Sequence, residues 1–429
     1  MLEKLFQLQQ AGTTVRTEVM AGISTFLAMS YIIIVNPDLL SIAGMDKGAV
    51  FTATCIAAAI GSLIMGLYAN YPVALAPGMG LNAFFTFGVV KGMGYTWEIA
   101  LGAVFISGVI FLLISLFKLR QWIIESIPQS MRYSIAAGIG FFLALIALKN
   151  VGLVVDNPAT LVSLGHITSA ESLFTLGGFL LIGALAYRGI LGSVMIVIIA
   201  ITVAAFFLGK IDYNGFISAP PSITPTLLKM DIAGAFNIGM ISVIFAFLFV
   251  DLFDTSGTLI AVSQQGNLLD KDGKLPRIGK AMTADSVATI AGAGLGTSNT
   301  TSYIESGVGI AAGGRTGLTA VVTGILFLLA LFFAPIASMV PSYATAPALL
   351  FVAVLMSSSL AKIDWQDITE AVPAVVTMLM MPFSFSIAEG IAVGFICYAI
   401  IKILSGRFED MTIGVYVISA LFIAKFLFI

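Results

Sequence analysis

Long apolar runs, separated by short polar segments, occupy most of the chain. A bilayer core about 30 Å thick is crossed by about 20 residues of helix. On that basis the pattern predicts fourteen membrane spans before Gly406, some of them short or interrupted. The clearest runs are 19–35, 50–68, 99–117, 133–148, 173–187, 194–208, 238–262, 320–339, 346–358, 372–384 and 387–403. The pattern therefore predicts an all-α polytopic membrane protein.

Two of the spans are interrupted by proline, glycine and polar residues. They cover 74–90, with the sequence ALAPGMGLNAFFTFGVV, and 296–312, with the sequence GTSNTTSYIESGVGIAA. Such residues free backbone groups that protein, water or ligand must satisfy within the bilayer. Each segment is predicted to hold a short extended strand followed by a half-helix, and each is the third span of its half.

An internal repeat relates the two halves of the chain. SIPQSMRYSIAAGIGFFLAL opens the fifth span and SMVPSYATAPALLFVAVLM the twelfth, and long, short and broken spans recur in the same order. Because seven spans per half is an odd number, the second copy enters the membrane in the opposite orientation. The chain is predicted to form seven-plus-seven inverted repeats.

The positions of lysine and arginine predict the orientation, because cytoplasmic loops are enriched in these residues. With the N-terminus in the cytoplasm, most of the 20 lysines and arginines lie inside. Those that fall outside are Lys47, Lys91, Lys149, Lys210 and Lys229. The last apolar stretch, 413–429, contains Lys425 and is either a fifteenth span or an amphipathic tail.

The composition excludes several classes of protein. Hydrophobic residues make up 59% of the chain and charged residues 10%, which is too little charge for a water-soluble surface. A net charge of −2 without a basic cluster argues against nucleic-acid binding. The two cysteines and the single histidine, His166, have no metal-ligand spacing, so neither a metal nor a cofactor is predicted.

Carboxylates within apolar spans predict the chemistry, since they are costly in lipid and mark ion or substrate paths. The eighth span reads FLFVDLFDTSGTLIAV, where Asp251 and Asp254 lie on one helical face. We expect Asp254 to exchange a proton, whereas Asp251 is either a second proton site or a structural acceptor. Glu305 follows the broken stretch of the tenth span, where free backbone amides and a carboxylate together match the edge of a planar heterocycle.

Several further side chains near these carboxylates are candidates for contact with a ligand. Asn82 either bonds the ligand edge or caps its half-helix, and aromatic rings in both broken spans offer faces for stacking. Hydroxyl groups in the first and eighth spans lie at similar depth, where packing is the competing interpretation. The complete substrate-binding set is Asp254, Glu305, Tyr303, Ile304, Asn82, Phe84, Thr25, Ser30 and Thr258.

Three long strings carry a resemblance to a known family. TSNTTSYIESGVGIAAGGRTGLTA, VALAPGMGLNAFFTF and LFDTSGTL resemble the nucleobase-cation symporter-2 (nucleobase-ascorbate transporter) superfamily, in its adenine/guanine/hypoxanthine permease branch. LAPGMGLNAFF and MPFSFSIAEG look most like the adenine permeases. The likeness extends from Thr17 to Gly406. Thr258 stands where uracil-type members carry a histidine, which puts a uracil preference in doubt.

The resemblance implies a core domain, a gate domain and a ligand between the paired short strands. Its functional carboxylates fall on Asp254 and Glu305. The implied division is a cytoplasmic N-terminus (1–16), core (17–117), gate (118–210), external loop (211–235), core (236–340), gate (341–406) and an apolar tail (407–429).

Two hypotheses of different classes follow. The first is a secondary active transporter of the inner (plasma) membrane that imports a purine base, adenine ahead of guanine or hypoxanthine, by proton symport with alternating access. Asp254, Glu305 and Asp251 would couple the proton. The second is an anion exchanger or channel of the same architecture, which would need a cation at the half-helices, where only Arg315 lies nearby. An enzyme is not predicted. Sodium in place of the proton and a homodimer are left open. Besides the base and the proton, the predicted partner is the lipid bilayer.

Overall fold

The structure, a computed structural model, describes residues 2–117, 127–269 and 275–428. Within these residues nine helical stretches of at least 18 residues are apolar enough to cross a membrane, and shorter helices lie between them. Together they form fourteen spans in the predicted order. Two segments, 118–126 and 270–274, lie outside the described residues. They include the predicted start of the gate domain and some of the lysines and arginines assigned to the cytoplasm.

The helices of the first half have the following bounds. Span 1 comprises Val15–Met29 and Ile32–Ile42, span 2 is Lys47–Ile64, span 3 comprises Met79–Ala83 and the π-helix Phe84–Gly92, span 4 is Trp97–Leu116, span 5 is Gln129–Asn150, span 6 is Ala170–Tyr187 and span 7 is Ser193–Phe207.

The helices of the second half follow the same order. Span 8 is Ile238–Gln265, span 9 is Ile278–Leu295, span 10 is Ser306–Ala311, span 11 comprises Gly317–Ala330 and Ala334–Met339, span 12 is Ser342–Ser357, span 13 is Ile368–Ser384 and span 14 is Ile387–Leu404. A further helix, Ile413–Phe428, follows span 14 and is called the tail helix.

Span 1 begins earlier than predicted and is broken in its middle. Its start is fixed by Thr14, whose side chain accepts a hydrogen bond from the Thr17 backbone N–H. The helix is interrupted at Ser30 and Tyr31 before it continues as Ile32–Ile42. The hydrophobic pattern runs through this break without a signal, so the sequence predicted one continuous helix.

The two interrupted spans each begin with a three-residue strand, which confirms the predicted extended stretches. Strand β1 is Leu75–Pro77, and strand β4 is Thr300–Ser302. They pair antiparallel, with Leu75 opposite Ser302 and Pro77 opposite Thr300. Both strands are buried. The other two strands, β2 (154–157) and β3 (161–164), form a hairpin between spans 5 and 6.

Hydroxyl side chains close the outer edges of the β1–β4 pair, because an unpaired strand edge cannot be left in lipid. The Ser62 hydroxyl of span 2 accepts from the Leu75 N–H at 3.0 Å and donates to the Leu75 carbonyl at 3.1 Å. The Thr289 hydroxyl of span 9 accepts from the Thr300 N–H at 3.3 Å and donates to the Thr300 carbonyl at 2.9 Å. Spans 2 and 9 occupy equivalent places in the two halves, as an inverted repeat requires.

The spans pack as two groups. In the first, span 11 contacts spans 1 and 2, span 9 contacts spans 2 and 4, and the strand pair lies among them. In the second, span 5 contacts spans 12 and 13, span 6 contacts spans 7 and 12, and span 13 contacts span 14. The fold is therefore an all-α polytopic one with two helical bodies, and the strand pair β1–β4 belongs to the first body.

Candidate functional site

Glu305 lies between strand β4 and the half-helix of span 10. It occupies the N-cap position of Ser306–Ala311, but its side chain makes no capping bond. Instead, its Oε1 atom accepts a hydrogen bond of 2.5 Å from the Tyr31 hydroxyl. Tyr31 comes from the break in span 1 and is buried, so the break delivers a hydrogen-bond donor to the carboxylate.

Asp254 is the second carboxylate of this site. It lies in span 8 and is exposed, and among the described residues its carboxylate makes no hydrogen bond. The next residue, Thr255, makes a hydroxyl contact of 2.9 Å with Thr301, which places this turn of span 8 beside β4 and the start of span 10. A half-buried carboxylate and an exposed one thus face the same region from spans 10 and 8.

A second pair of acidic residues lies behind strand β4. Asp251 is buried, and its Oδ2 atom lies 3.0 Å from the Thr289 hydroxyl and 3.2 Å from the Asn299 amide nitrogen. Asp285 of span 9 is also buried, and its Oδ1 atom accepts from the Ser302 hydroxyl at 2.9 Å. Asp251 Oδ1 and Asp285 Oδ2 have no hydrogen-bond partner within the described residues.

Asn82 belongs to a buried amide network beside the strands. Its amide nitrogen donates to Asn36 Oδ1 at 2.6 Å, and Asn36 donates to the hydroxyls of Thr54 at 2.7 Å and Thr297 at 2.8 Å. The network ties spans 1, 2 and 3 to the start of span 10. The side-chain oxygen of Asn82, Oδ1, has no hydrogen-bond partner among the described residues. Asn82 lies inside the helix Met79–Ala83, whose N-cap residue is Gly78, so the prediction that it caps the half-helix is wrong, and contact with a ligand stays a prediction.

The aromatic and apolar candidates differ in exposure. The Tyr303 side chain is buried, and its hydroxyl donates to the Pro77 carbonyl at 2.6 Å, so it links β4 to β1. Phe84 is fully buried and packs on Phe247, with ring centroids 5.2 Å apart. Ile304, by contrast, is about half exposed, next to Glu305. Stacking by Tyr303 or Phe84 stays a prediction.

The hydroxyl candidates are all buried in the helices that surround the strands. The Thr25 hydroxyl has no partner within the described residues and faces Gly309, where an added Cβ would lie 2.1 Å from its oxygen. The Ser30 hydroxyl donates to the Leu27 carbonyl. Thr258 is buried in span 8. Thr25 thus marks a close approach of span 1 to the half-helix of span 10.

The site is acidic and has no counter-charge in contact. None of the ion pairs among the described residues includes Asp251, Asp254, Asp285 or Glu305. The Arg315 guanidinium, beyond the half-helix, donates to the Ile310 and Gly314 carbonyls and not to a carboxylate. No group of three or more potential metal ligands occurs in the described ranges. The site therefore suits a ligand that offers N–H donors or protons.

A family model described as "Permease family" (Xan_ur_permease) matches residues 16–405. The chain belongs to this permease family. It is 52% identical to the "Adenine permease AdeP" of Escherichia coli (strain K12) over 429 residues, which is 100% of this chain and 96% of the relative. It is 45% identical to the "Guanine/hypoxanthine permease PbuG" of Bacillus subtilis (strain 168), over 100% of both chains. The resemblance to the adenine/guanine/hypoxanthine permease branch is thereby confirmed, and the permease is a multi-pass transport protein and not an enzyme.

Solved structures support the fold alone. The transmembrane domain of a cyanobacterium bicarbonate transporter, BicA, superposes with a TM-score of 0.64 at 14% identity and covers 88% of this chain and 97% of its own. At such low identity the likeness carries the architecture and says nothing about the substrate of the permease.

Three residues of the site escaped the sequence analysis or were given less weight there. Tyr31 lies within an apolar run and Asn36 directly follows it, and no spacing signal relates them to Glu305 or Asn82. Asp285, the third of these residues, is buried behind β4. The signal for a buried position is that Asp285 is the sole charged residue of the stretch AMTADSVATIAGAG.

Proposed function

We propose that this permease imports a purine base, with adenine as the first substrate to test and guanine and hypoxanthine as alternatives. The observation that carries the proposal is the pair of carboxylates, Asp254 and Glu305, beside the β1–β4 pair, with no cation of the described part of the chain in contact. The names of the relatives point to the same class of substrate.

Carboxylates suit this ligand because purines present N–H donors on their edges, including the exocyclic amine of adenine. In this proposal Asp254, Glu305 or both accept N–H bonds from the base. Tyr31 fixes the rotamer of Glu305, so that one oxygen is held and the other is free to accept. A base without matching N–H donors would leave the buried acceptors of the site unpaired. The cost of these unpaired acceptors then gives the permease its specificity.

Proton coupling is proposed to involve the carboxylates Asp254, Glu305 and Asp251. The Thr289 hydroxyl has one proton, which the Thr300 carbonyl accepts at 2.9 Å. Its contact of 3.0 Å with Asp251 Oδ2 is satisfied in full when the Asp251 carboxyl carries a proton and donates it. Asp285 adds a second acidic group nearby, and uncompensated charge at such a depth is costly.

Alternating access is proposed to be a movement of the first helical body against the second. We assign 17–117 and 236–340 to the moving core and 118–210 and 341–406 to the gate, with 211–235 as the external loop. Strands β1 and β4, Asp254 and Glu305 all belong to the core, so the bound base would travel with it. We further propose a location in the inner (plasma) membrane with a cytoplasmic N-terminus.

Anion exchange on the same architecture is the competing function. A carboxylate pair repels an anion, whereas anion sites rely on arginine, lysine or free helix N-termini. The acidic site therefore favours a neutral base with N–H donors over bicarbonate or another anion.

The test is uptake of radiolabelled adenine into proteoliposomes, with proton movement followed by an internal pH dye. The native permease is compared with Asp254→Asn, Glu305→Gln and the loop control Asp212→Asn. We expect uptake driven by an inward proton gradient in the native protein and the control, and its loss in both site variants. Adenine uptake that persists in both site variants would refute the site, and bicarbonate uptake without base uptake would favour the anion exchanger. Replacement of the proton gradient by a sodium gradient tests sodium coupling in the same vesicles.

A further inference from the structure

The tail helix lies antiparallel along span 14 over its whole length. Near the end of the tail helix, the Lys425 ammonium forms an ion pair of 2.5 Å with Glu389, in the first turn of span 14. In the middle, the Ser419 hydroxyl donates to the Phe395 carbonyl at 3.0 Å. Later residues of the tail helix thus contact earlier residues of span 14, which is the register of two antiparallel helices.

The lengths of the two helices agree with this register. The tail helix has 16 residues and span 14 has 18, which correspond to about 24 Å and about 27 Å of helix at 1.5 Å per residue. Where the tail helix begins, Asp410 lies 3.0 Å from the Lys402 ammonium, in the last turn of span 14. The tail helix and the turn that precedes it therefore contact both ends of span 14, and the two helices are similar in length.

The distribution of polar groups excludes a helix that lies flat on the membrane surface. A surface helix presents a charged face to water and an apolar face to lipid. Here the two polar side chains in contact, Ser419 and Lys425, both turn towards span 14. Apolar side chains cover the outer face, with Ile413, Val417, Leu421 and Leu427 each more than half exposed.

We infer that the tail helix is a fifteenth membrane span. An odd number of spans places the end of the tail helix and the N-terminal segment on opposite faces of the membrane. The matched family model ends at residue 405, so this span lies beyond the part of the chain that the family model describes. The Glu389–Lys425 pair then neutralises the only charge within the added span and holds it to the second helical body.

The test is the accessibility of single cysteines to a membrane-impermeant maleimide. The two native cysteines, Cys55 and Cys397, are first replaced by serine. Three variants are compared in intact and in permeabilised cells: Gln10→Cys near the N-terminus, Ser405→Cys between span 14 and the tail helix, and a cysteine appended after the tail helix through a short glycine-serine linker.

We expect Gln10→Cys and Ser405→Cys to be reached from one face of the membrane and the appended cysteine from the other, whereas all three label once the cells are permeabilised. With the N-terminus in the cytoplasm, only the appended cysteine labels in intact cells. The inference itself requires only that the two ends differ, whatever the absolute orientation. Labelling of all three from the same side would overturn it.

A cross-link provides a second readout that does not depend on the reagent reaching the membrane surface. The pair Glu389→Cys and Lys425→Cys should be joined by a short, membrane-permeant bismaleimide that replaces the reach of the two long side chains, and the product is detected by peptide mass spectrometry. The matched pair Glu389→Cys and Ser405→Cys, which lies at opposite ends of span 14, should not. Cross-linking of the control pair, or of neither pair, would contradict the antiparallel arrangement.

Discussion

Replacing Tyr31 by phenylalanine tests whether the break in span 1 serves Glu305. The change removes one hydroxyl and, with it, the 2.5 Å hydrogen bond to Glu305 Oε1. Hydrogen bonds to charged groups contribute about 1.5–3 kcal/mol, and since 1.4 kcal/mol is a factor of ten in affinity, the expected loss is about 10- to 100-fold. The loss arises because the Glu305 side chain, without the Tyr31 hydrogen bond, samples several rotamers. Fixing one of them when the base binds costs conformational entropy.

The assay measures the apparent affinity for adenine in proteoliposomes at constant pH. Tyr343→Phe is the matched control, because the Tyr343 hydroxyl has no hydrogen-bond partner among the described residues and lies in the second helical body. We expect the control to keep the native affinity. If Tyr31→Phe also keeps it, while both proteins fold, the hydrogen bond does not position Glu305 for binding and the reasoning is refuted.

Three further changes test other parts of the structure. Thr289→Val removes the hydroxyl that closes the edge of β4 and should lower the unfolding free energy by about 2–4 kcal/mol. The control Thr289→Ser keeps the hydroxyl and should keep the native stability. If Thr289→Val and the native permease have equal thermal midpoints in detergent, the hydroxyl does not have this role. Gly309→Ala places a methyl group 2.1 Å from the Thr25 hydroxyl oxygen of span 1, which should cost about 1–3 kcal/mol in stability and reduce uptake. Gly183→Ala, with open space around it, is the control. Equal stability and uptake of the two variants would show that span 10 shifts to accommodate the methyl group. A threonine hydroxyl and an arginine lower the pKa of Asp367, in the loop before span 13, to about 2. Its stabilisation is therefore complete above about pH 4 and lost as the pH falls towards 2. Because Asp367 is near the surface, the effect should stay below about 1 kcal/mol, and Asp367→Asn should remove it from the acid-unfolding profile; an unchanged profile would mean that the ion pair contributes nothing.

Most of the architecture could be predicted from the sequence, because bilayer thickness leaves few options for apolar runs. The long spans and the two extended stretches appear where the pattern placed them. The break at Tyr31 could not be predicted, since its neighbours are as apolar as those of a continuous helix. The nature of the tail also stayed open, because only the contacts of Lys425 and Ser419 with span 14 show which way its polar groups turn.

The candidate site was predicted in part for a related reason. A carboxylate in lipid is conspicuous in a sequence, so Asp251, Asp254 and Glu305 could be named without a structure. Their partners are neutral, and the hydroxyls and amides that hold them come from distant spans. Tyr31 precedes Glu305 by 274 residues, for example, and no local pattern records such a pairing.

The way in which the strand edges are closed has a consequence for transport. Because Ser62 and Thr289 satisfy the edges of β1 and β4 from spans 2 and 9, the strands cannot move away from those spans without leaving backbone groups unpaired in lipid. Thr289 also contacts Asp251, so the proposed proton site is fixed to the same body. A movement that exposes the site to the other face of the membrane therefore has to carry spans 2, 8, 9 and 10 together. In the proposed alternating access, the movement therefore takes place at the seam between the two helical bodies and not by a bend within the broken spans.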